Sequence, residues 1–309
     1  MKRTRILLII LSIIFITGCK IKTNDDKTII ATNFPAYDAA RAIIGNTDII
    51  EVKMLLSPGS DIHDFEPTPK DVKNIINSSL FIYVGGESDE WIDDILADIN
   101  KDKTKLVKLM DLVDLKEEEI VDGMESAEEE EEEEEYDEHI WTSPLNEVII
   151  INYLKDEIIK IDPDNKDIYE ENANKYINEL LEIDSEFRDI VSKGKRKTIV
   201  FGDRFPLRYF ADEYGLNYYA AFPGCSEQTE ASAKTISFLI NKVKDEDIPV
   251  VFKIELSNGK IADTIANETK AKVLEFNSAH NISLKDFEAG ITYVDIMKNN
   301  IEVLREALN

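Results

Sequence analysis

Short apolar runs alternate with stretches of helical period in two separate series. In the first, residues 28–33 read as a buried strand, 37–44 as a helix, 49–56 as a strand, 69–77 as a helix and 80–84 as a strand ending at Gly85-Gly86. The second series runs strand 198–201, helix 206–214, strand 218–221, helix 230–243, strand 250–254, helix 260–268 and strand 272–276, with a closing helix over 293–308. Strands that alternate with helices signal βαβ units and parallel sheets, so the chain is expected to form two α/β lobes. Between the series, Tyr169, Ala173, Tyr176, Leu180, Ile183, Phe187 and Ile190 recur at alternating steps of four and three. This is one apolar face of a single long helix, set between Pro163 and Gly194. A coiled-coil seam would use the same spacing, but aromatics and Ala173 are poorer seam residues than Leu and Ile. An intramolecular backbone helix is therefore expected, and lobes joined by such a rod should move little on ligand binding. The divisions are 28–160 for the first lobe, with an acidic loop at 122–138, then 161–194 for the linking helix and 195–309 for the second lobe.

At the amino terminus Lys2, Arg3 and Arg5 precede an apolar run over 6–16, too short for a membrane span and suited to a signal segment. The run ends in Ile16-Thr17-Gly18-Cys19, which resembles the lipobox of bacterial lipoproteins. Cleavage after residue 18 would leave a lipidated Cys19 and a polar tether over 19–27, anchoring an extracytoplasmic protein to the membrane. No second membrane-length run follows, so any channel would be another polypeptide.

Charge narrows the partners. With 63 acids against 36 bases and a net charge of −27, the chain lacks a basic footprint for nucleic acid. The acidity suits a cationic ligand. Once Cys19 is lipidated, Cys225 is left without an intramolecular disulfide partner. Residues 128–135 are all glutamate, a self-repelling block that reads either as a solvated loop or as a flexible collector of divalent cations.

The chain has three histidines, and each falls on an expected loop. His63 lies in the stretch from Gly59 to Pro69, after a strand and before a helix that Thr68-Pro69-Lys70-Asp71 would cap. His139 precedes a helix near Pro144 that Thr142 or Ser143 would cap, and His280 follows the last strand of the second lobe. Open α/β sheets bind ligands at such strand ends, and neutral imidazole is a common metal ligand. There is no HExxH or CxxC pair, so a metal site would have to be assembled by the fold; loop histidines without a task fit the same spacing.

The lipobox, residues 59–72, residues 137–144, the long helix and residues 201–230 together resemble the zinc/manganese-type metal-binding lipoproteins, the cluster A-I substrate-binding proteins that serve ABC importers. The likeness covers nearly the whole chain after the signal segment. It implies two α/β lobes joined by a backbone helix, a metal in the cleft between them, and an acidic or histidine-rich loop ahead of the second ligand. On that basis His63 and His139 match the first two family histidines.

The remaining ligands depart from the family pattern. The place of the third histidine holds Arg204, and the late carboxylate is replaced by Asn277. His280 is expected to replace one missing donor and Glu255 the other, with Asp203 or a water behind Glu255. Arg204 would then neutralise or orient Glu255 or Glu66. The resemblance implies a receptor that captures a transition ion and passes it to an ABC permease without bond chemistry. Three nitrogens and one oxygen in a closed tetrahedron favour Zn2+, two nitrogens with two carboxylates would favour Mn2+, and a monomer is expected. Two other classes stay open: a secreted zinc hydrolase with Glu66 as general base, and a surface adhesion lipoprotein with a structural metal. Cys225 reads as a soft ligand or as a small apolar residue in a turn.

Overall fold

The computed structural model describes residues 27–60, 65–124, 135–226 and 230–309. The signal segment, Cys19, His63 and the glutamates at 128–134 lie outside the described residues. No helix among the described residues is long and apolar enough to cross a membrane.

The first lobe is built from β1 (Lys27–Ala31), α1 (Phe34–Ile44), β2 (Ile50–Met54), α2 (Pro69–Asn77), β3 (Leu80–Tyr83), α3 (Trp91–Ile95) and β4 (Lys105–Lys108). Its four strands are all parallel, in the order β2-β1-β3-β4. Next come α4 (Pro144–Ile161) and the 28-residue α5 (Lys166–Lys193). The second lobe consists of β5 (Thr198–Phe205), α6 (Arg208–Tyr214), β6 (Asn217–Pro223), α7 (Ala233–Asp245), β7 (Val250–Lys253), α8 (Lys260–Glu268), β8 (Lys272–Glu275), α9 (Leu284–Ala289) and α10 (Tyr293–Leu308). Its sheet is parallel too and repeats the same arrangement, β6-β5-β7-β8. The expected two parallel α/β lobes joined by a long helix are thus observed.

Both sheets are covered on both faces, as parallel sheets require. In β1, Ile29 enters one apolar core and Ile30 the opposite one; in β5, Val200 faces away from Ile199 and Phe201. The core containing Ile29 continues through Tyr169, Leu180 and Phe187 of α5 to Phe201, Phe252 and Phe276 of the second lobe. All seven apolar positions expected on α5 are buried. They meet α1, α4 and α10 of the same chain, so no coiled-coil partner is needed to cover them.

Local signals explain most element starts. Thr68 and Asp71 form a reciprocal capping box on α2, and Ser143 caps α4 through Asn146 N–H. Asn33, expected in the strand, instead caps α1 by accepting from Ala36 N–H at 3.2 Å. β5 runs on to Phe205 past a bulge between Phe201 and Arg204, so the helix expected from residue 206 starts at Arg208.

The lobes are braced where their strands end. Gly59 N–H donates to the Ile282 carbonyl at 2.8 Å, joining the described start of the His63 loop to the His280 loop. Segment 116–124, which leaves the first lobe, lies on the second: Lys116 pairs with Asp212, and Tyr218 donates to Glu119 at 3.1 Å. Gly123, at φ +88°, abuts Phe238, and a Cβ there would stand 2.1 Å from the ring.

Candidate metal centre

Two histidine-bearing segments meet near the carboxyl ends of β6, β7 and β8, the usual place for a ligand in open α/β sheets. The first carries His139. Asp137 Oδ1 accepts from His139 N–H at 2.8 Å and lies 3.1 Å from Nδ1 of the same ring. One carboxylate thus fixes both the backbone turn and the imidazole, which is fully buried. A carboxylate on Nδ1 leaves Nε2 as the coordinating atom, the usual arrangement behind a metal-bound histidine. Burial alone would lower the His139 pKa, but Asp137, with Glu138 and Glu118 further out, outweighs it and lifts it above the ordinary value.

The second segment carries His280, whose ring centroid lies 5.0 Å from that of His139 at an interplanar angle of 77°. Trp141 stands beside both, 5.3 Å from His139 and 5.5 Å from His280. Two histidines separated by 141 positions in sequence are thereby placed in one buried cluster. Ala279, immediately before His280, has φ +58°, so a left-handed residue turns this loop.

Glu255 holds that loop. Its Oε1 accepts from Ser278 Oγ at 2.7 Å and His280 N–H at 3.0 Å, and its Oε2 accepts from Ser278 N–H at 2.7 Å. Burial raises the Glu255 pKa, and the hydrogen bonds from Ser278 oppose the rise. The residue expected as a fourth ligand is therefore already engaged in shaping the His280 loop. Asp203, the reserve candidate, accepts from Arg204 N–H at 2.9 Å and Ile254 N–H at 3.4 Å. Arg204 donates through Nη1 to the Ser226 carbonyl at 3.3 Å. The third expected histidine, His63, lies outside the described residues.

The structure also brings forward Glu138, which the sequence did not single out as a ligand, and places Cys225, weighed there as a soft ligand or a small apolar residue, beside His139. Ligand atoms of Glu138, His139 and Cys225 all lie within 4.8 Å of one another. Glu138 is buried and accepts from Ser88 N–H at 3.2 Å, and from the Ser88 hydroxyl. Cys225 follows β6, and its N–H donates to Glu118 at 3.2 Å. Burial, together with Glu138, Asp137, Glu118 and Glu87, pushes the Cys225 thiol well above its ordinary pKa. Two adjacent acids ahead of His139 were the available sequence signal; the approach of Cys225 across the lobes had none. Tyr209 completes the support, donating to the Asp137 carbonyl at 2.8 Å and accepting from Lys116 N–H at 3.1 Å.

A family model described as "Zinc-uptake complex component A periplasmic" matches residues 29–307. The high-affinity zinc uptake system protein ZnuA of Bacillus subtilis (strain 168) is 31% identical over 285 residues, covering 92% of this chain and 88% of the relative. The zinc-binding protein AdcA of Streptococcus pyogenes serotype M18 is 29% identical over 287 residues; the match covers 90% of this chain but only 55% of that relative's length. Among solved structures, the Zn(II)-bound ZnuA-like domain of Streptococcus pneumoniae AdcA is similar at a TM-score of 0.75 and 26% identity, covering 92% of this chain and 99% of that one. The fold, the histidine-bearing loops and a match that spans almost every described element agree: the chain belongs to the zinc-uptake complex component A family.

Proposed function

We propose that this protein is the zinc-binding receptor of an ABC importer, capturing Zn2+ between its lobes and handing it to a membrane permease. The observation that carries the reading is the 5.0 Å approach of the His139 and His280 rings, on loops of different lobes, in a chain of this family. His63, His139 and His280 supply nitrogen, and Glu255 keeps His280 in place. Imidazole nitrogens in a compact buried site suit a tetrahedral zinc ion. The reaction is binding and release with no bond chemistry, so the protein is not an enzyme. Lipidated Cys19 tethers a monomer to the outer face of the cytoplasmic membrane, where it meets the permease.

The test is zinc content and Zn2+ affinity of a chain begun at Lys20, in competition with Mn2+, beside His280→Ala and Glu255→Ala. One tight equivalent of zinc, preferred over manganese and weakened at least tenfold by His280→Ala, is expected. Preference for Mn2+, or no tight site, would overturn the zinc receptor reading.

A further inference from the structure

The candidate nitrogen donors account for three positions of a zinc site, and Glu255 is occupied with the His280 loop. A tetrahedral ion needs a further donor. Arg204, which stands where the family resemblance places a histidine, lies on β5 in register with Phe222 of β6. Three residues beyond Phe222 the chain turns at Gly224 and presents Cys225.

The turn is built tightly against the His139 segment. A Cβ on Gly224 would lie 3.2 Å from the Phe205 carbonyl oxygen and 3.3 Å from Asp137 Oδ2, so a side chain larger than hydrogen would push the turn away from Asp137. Cys225 N–H is held by Glu118 at 3.2 Å. Ligand atoms of Cys225, Glu138 and His139 then fall within 4.8 Å of one another. Two donors on one tetrahedral zinc, at bond lengths of about 2.0–2.3 Å, stand about 3.3–3.8 Å apart. A closure of at most about 1.5 Å brings Cys225 and His139 onto one ion.

The geometry points to Cys225 as the fourth donor, a sulfur ligand to the bound cation beside His139 that replaces, across the strand pair, the histidine missing at Arg204; the Glu138 carboxylate next to it balances charge rather than binding the ion. This assignment rests on the zinc receptor reading and adds its basis for metal selection. Thiolate favours soft or borderline ions such as Zn2+ over the hard Mn2+, which prefers oxygen and nitrogen. Charge balance agrees with it. Asp137, Glu138 and Glu118 gather around Cys225 and His139, and a divalent cation offsets the negative charge that a thiolate would add.

Co2+ titration of the chain begun at Lys20 tests this directly, since Cys225 is then its one cysteine. The expected result is tetrahedral d–d absorption accompanied by a near-ultraviolet sulfur-to-cobalt charge-transfer band. Cys225→Ser should abolish that band, lower Zn2+ affinity at least tenfold and narrow the preference for Zn2+ over Mn2+. Tetrahedral cobalt absorption without the charge-transfer band overturns the sulfur donor and leaves the receptor reading standing. Absence of any cobalt or zinc binding overturns both. A second readout does not depend on the variant folding: Zn2+ should slow alkylation of the wild-type thiol by iodoacetamide at least tenfold, and an unchanged rate overturns the assignment.

Discussion

Trp141 Nε1 donates to the Ser278 carbonyl at 2.9 Å, and this bond ties the His139 segment to the His280 loop. The Trp141 carbonyl in turn accepts from the Tyr293 hydroxyl at 2.7 Å, so α10 fixes the tryptophan from behind. The indole is therefore a spacer that sets how far apart the two imidazoles stand.

Replacing Trp141 with Phe keeps most of the apolar volume and removes the N–H. The buried Ser278 carbonyl then loses its donor, at a cost of about 1–3 kcal/mol. Zn2+ affinity should fall about tenfold because the His280 loop is less well positioned. In a Trp91→Phe background, Trp141 is the one remaining tryptophan, and its emission should change on zinc binding because both histidine rings lie beside it. Emission that ignores saturating zinc would show that the ion binds elsewhere.

Glu255 gives a second prediction with a direction that separates positioning from ligation. Glu255→Gln retains one acceptor oxygen but turns an amide NH2 toward groups that are themselves donors. Ser278 and His280 then face an unsatisfied contact, and the fold should lose about 2–3 kcal/mol in chemical denaturation. If Glu255 acts through the loop, zinc affinity drops moderately while the number of donors reported by X-ray absorption of the zinc complex stays the same. A lost oxygen donor in that spectrum would make Glu255 a ligand.

Much of this architecture was legible before the structure, and the failures have physical causes. The capping box of Thr68 and Asp71 and the buried face of α5 are set by local bonds and by period, both visible along the chain. β4 leaves no pattern in the sequence because it is a four-residue edge strand with Lys105 and Lys108 at its ends, too short for alternation to register. β5 extends beyond its apolar run because Gly202, Asp203 and Arg204 interrupt that run, and only pairing with β6 across the bulge carries the strand to Phe205. At the site, the loop positions of His139 and His280 followed from neighbouring strands and caps. The commitment of Glu255 to Ser278 and the approach of Cys225 to Glu138 depend on contacts between distant segments, which no spacing rule encodes.

His139 makes zinc binding sensitive to acid from a higher starting point than an ordinary histidine. Its pKa is raised, chiefly by Asp137 against the opposing effect of burial, so on the proposed ligand set zinc competes with a proton up to a higher pH than at an ordinary histidine. Affinity should be greatest above that raised pKa and should decline as pH falls through it, beginning above the usual value of about 6.5. Asp137→Asn weakens the hold on the proton and should move the onset of the decline to lower pH, while lowering the maximal affinity because the imidazole is less well oriented. Zinc titrations followed from pH 8 to pH 5.5 check this, and an onset that does not move in Asp137→Asn would contradict it.

Asp89 supplies a stability prediction beside the same site. It is 4% exposed; Oδ2 accepts from Val84 N–H at 2.7 Å and Gly85 N–H at 3.0 Å, while Oδ1 has no hydrogen-bond partner among the described residues. Burial pushes its pKa up to about 7, against the hydrogen bond from Gly85 and with added repulsion from Glu138. The folded state therefore holds this proton more tightly than the unfolded chain. Its contribution is full below the unfolded value of 3.8 and is lost as pH rises toward about 7. Asp89→Asn keeps an acceptor for Val84 and Gly85 and removes the titration. Relative to wild type, the variant should gain stability between pH 4 and pH 7.5, by up to about 4 kcal/mol. Urea unfolding of both proteins at the two pH values, without metal, measures the difference. A gap that stays constant across that range would mean that Asp89 does not take up its proton there, and that its carboxylate is instead stabilised as the anion by the turn that also carries Ser88 to Glu138.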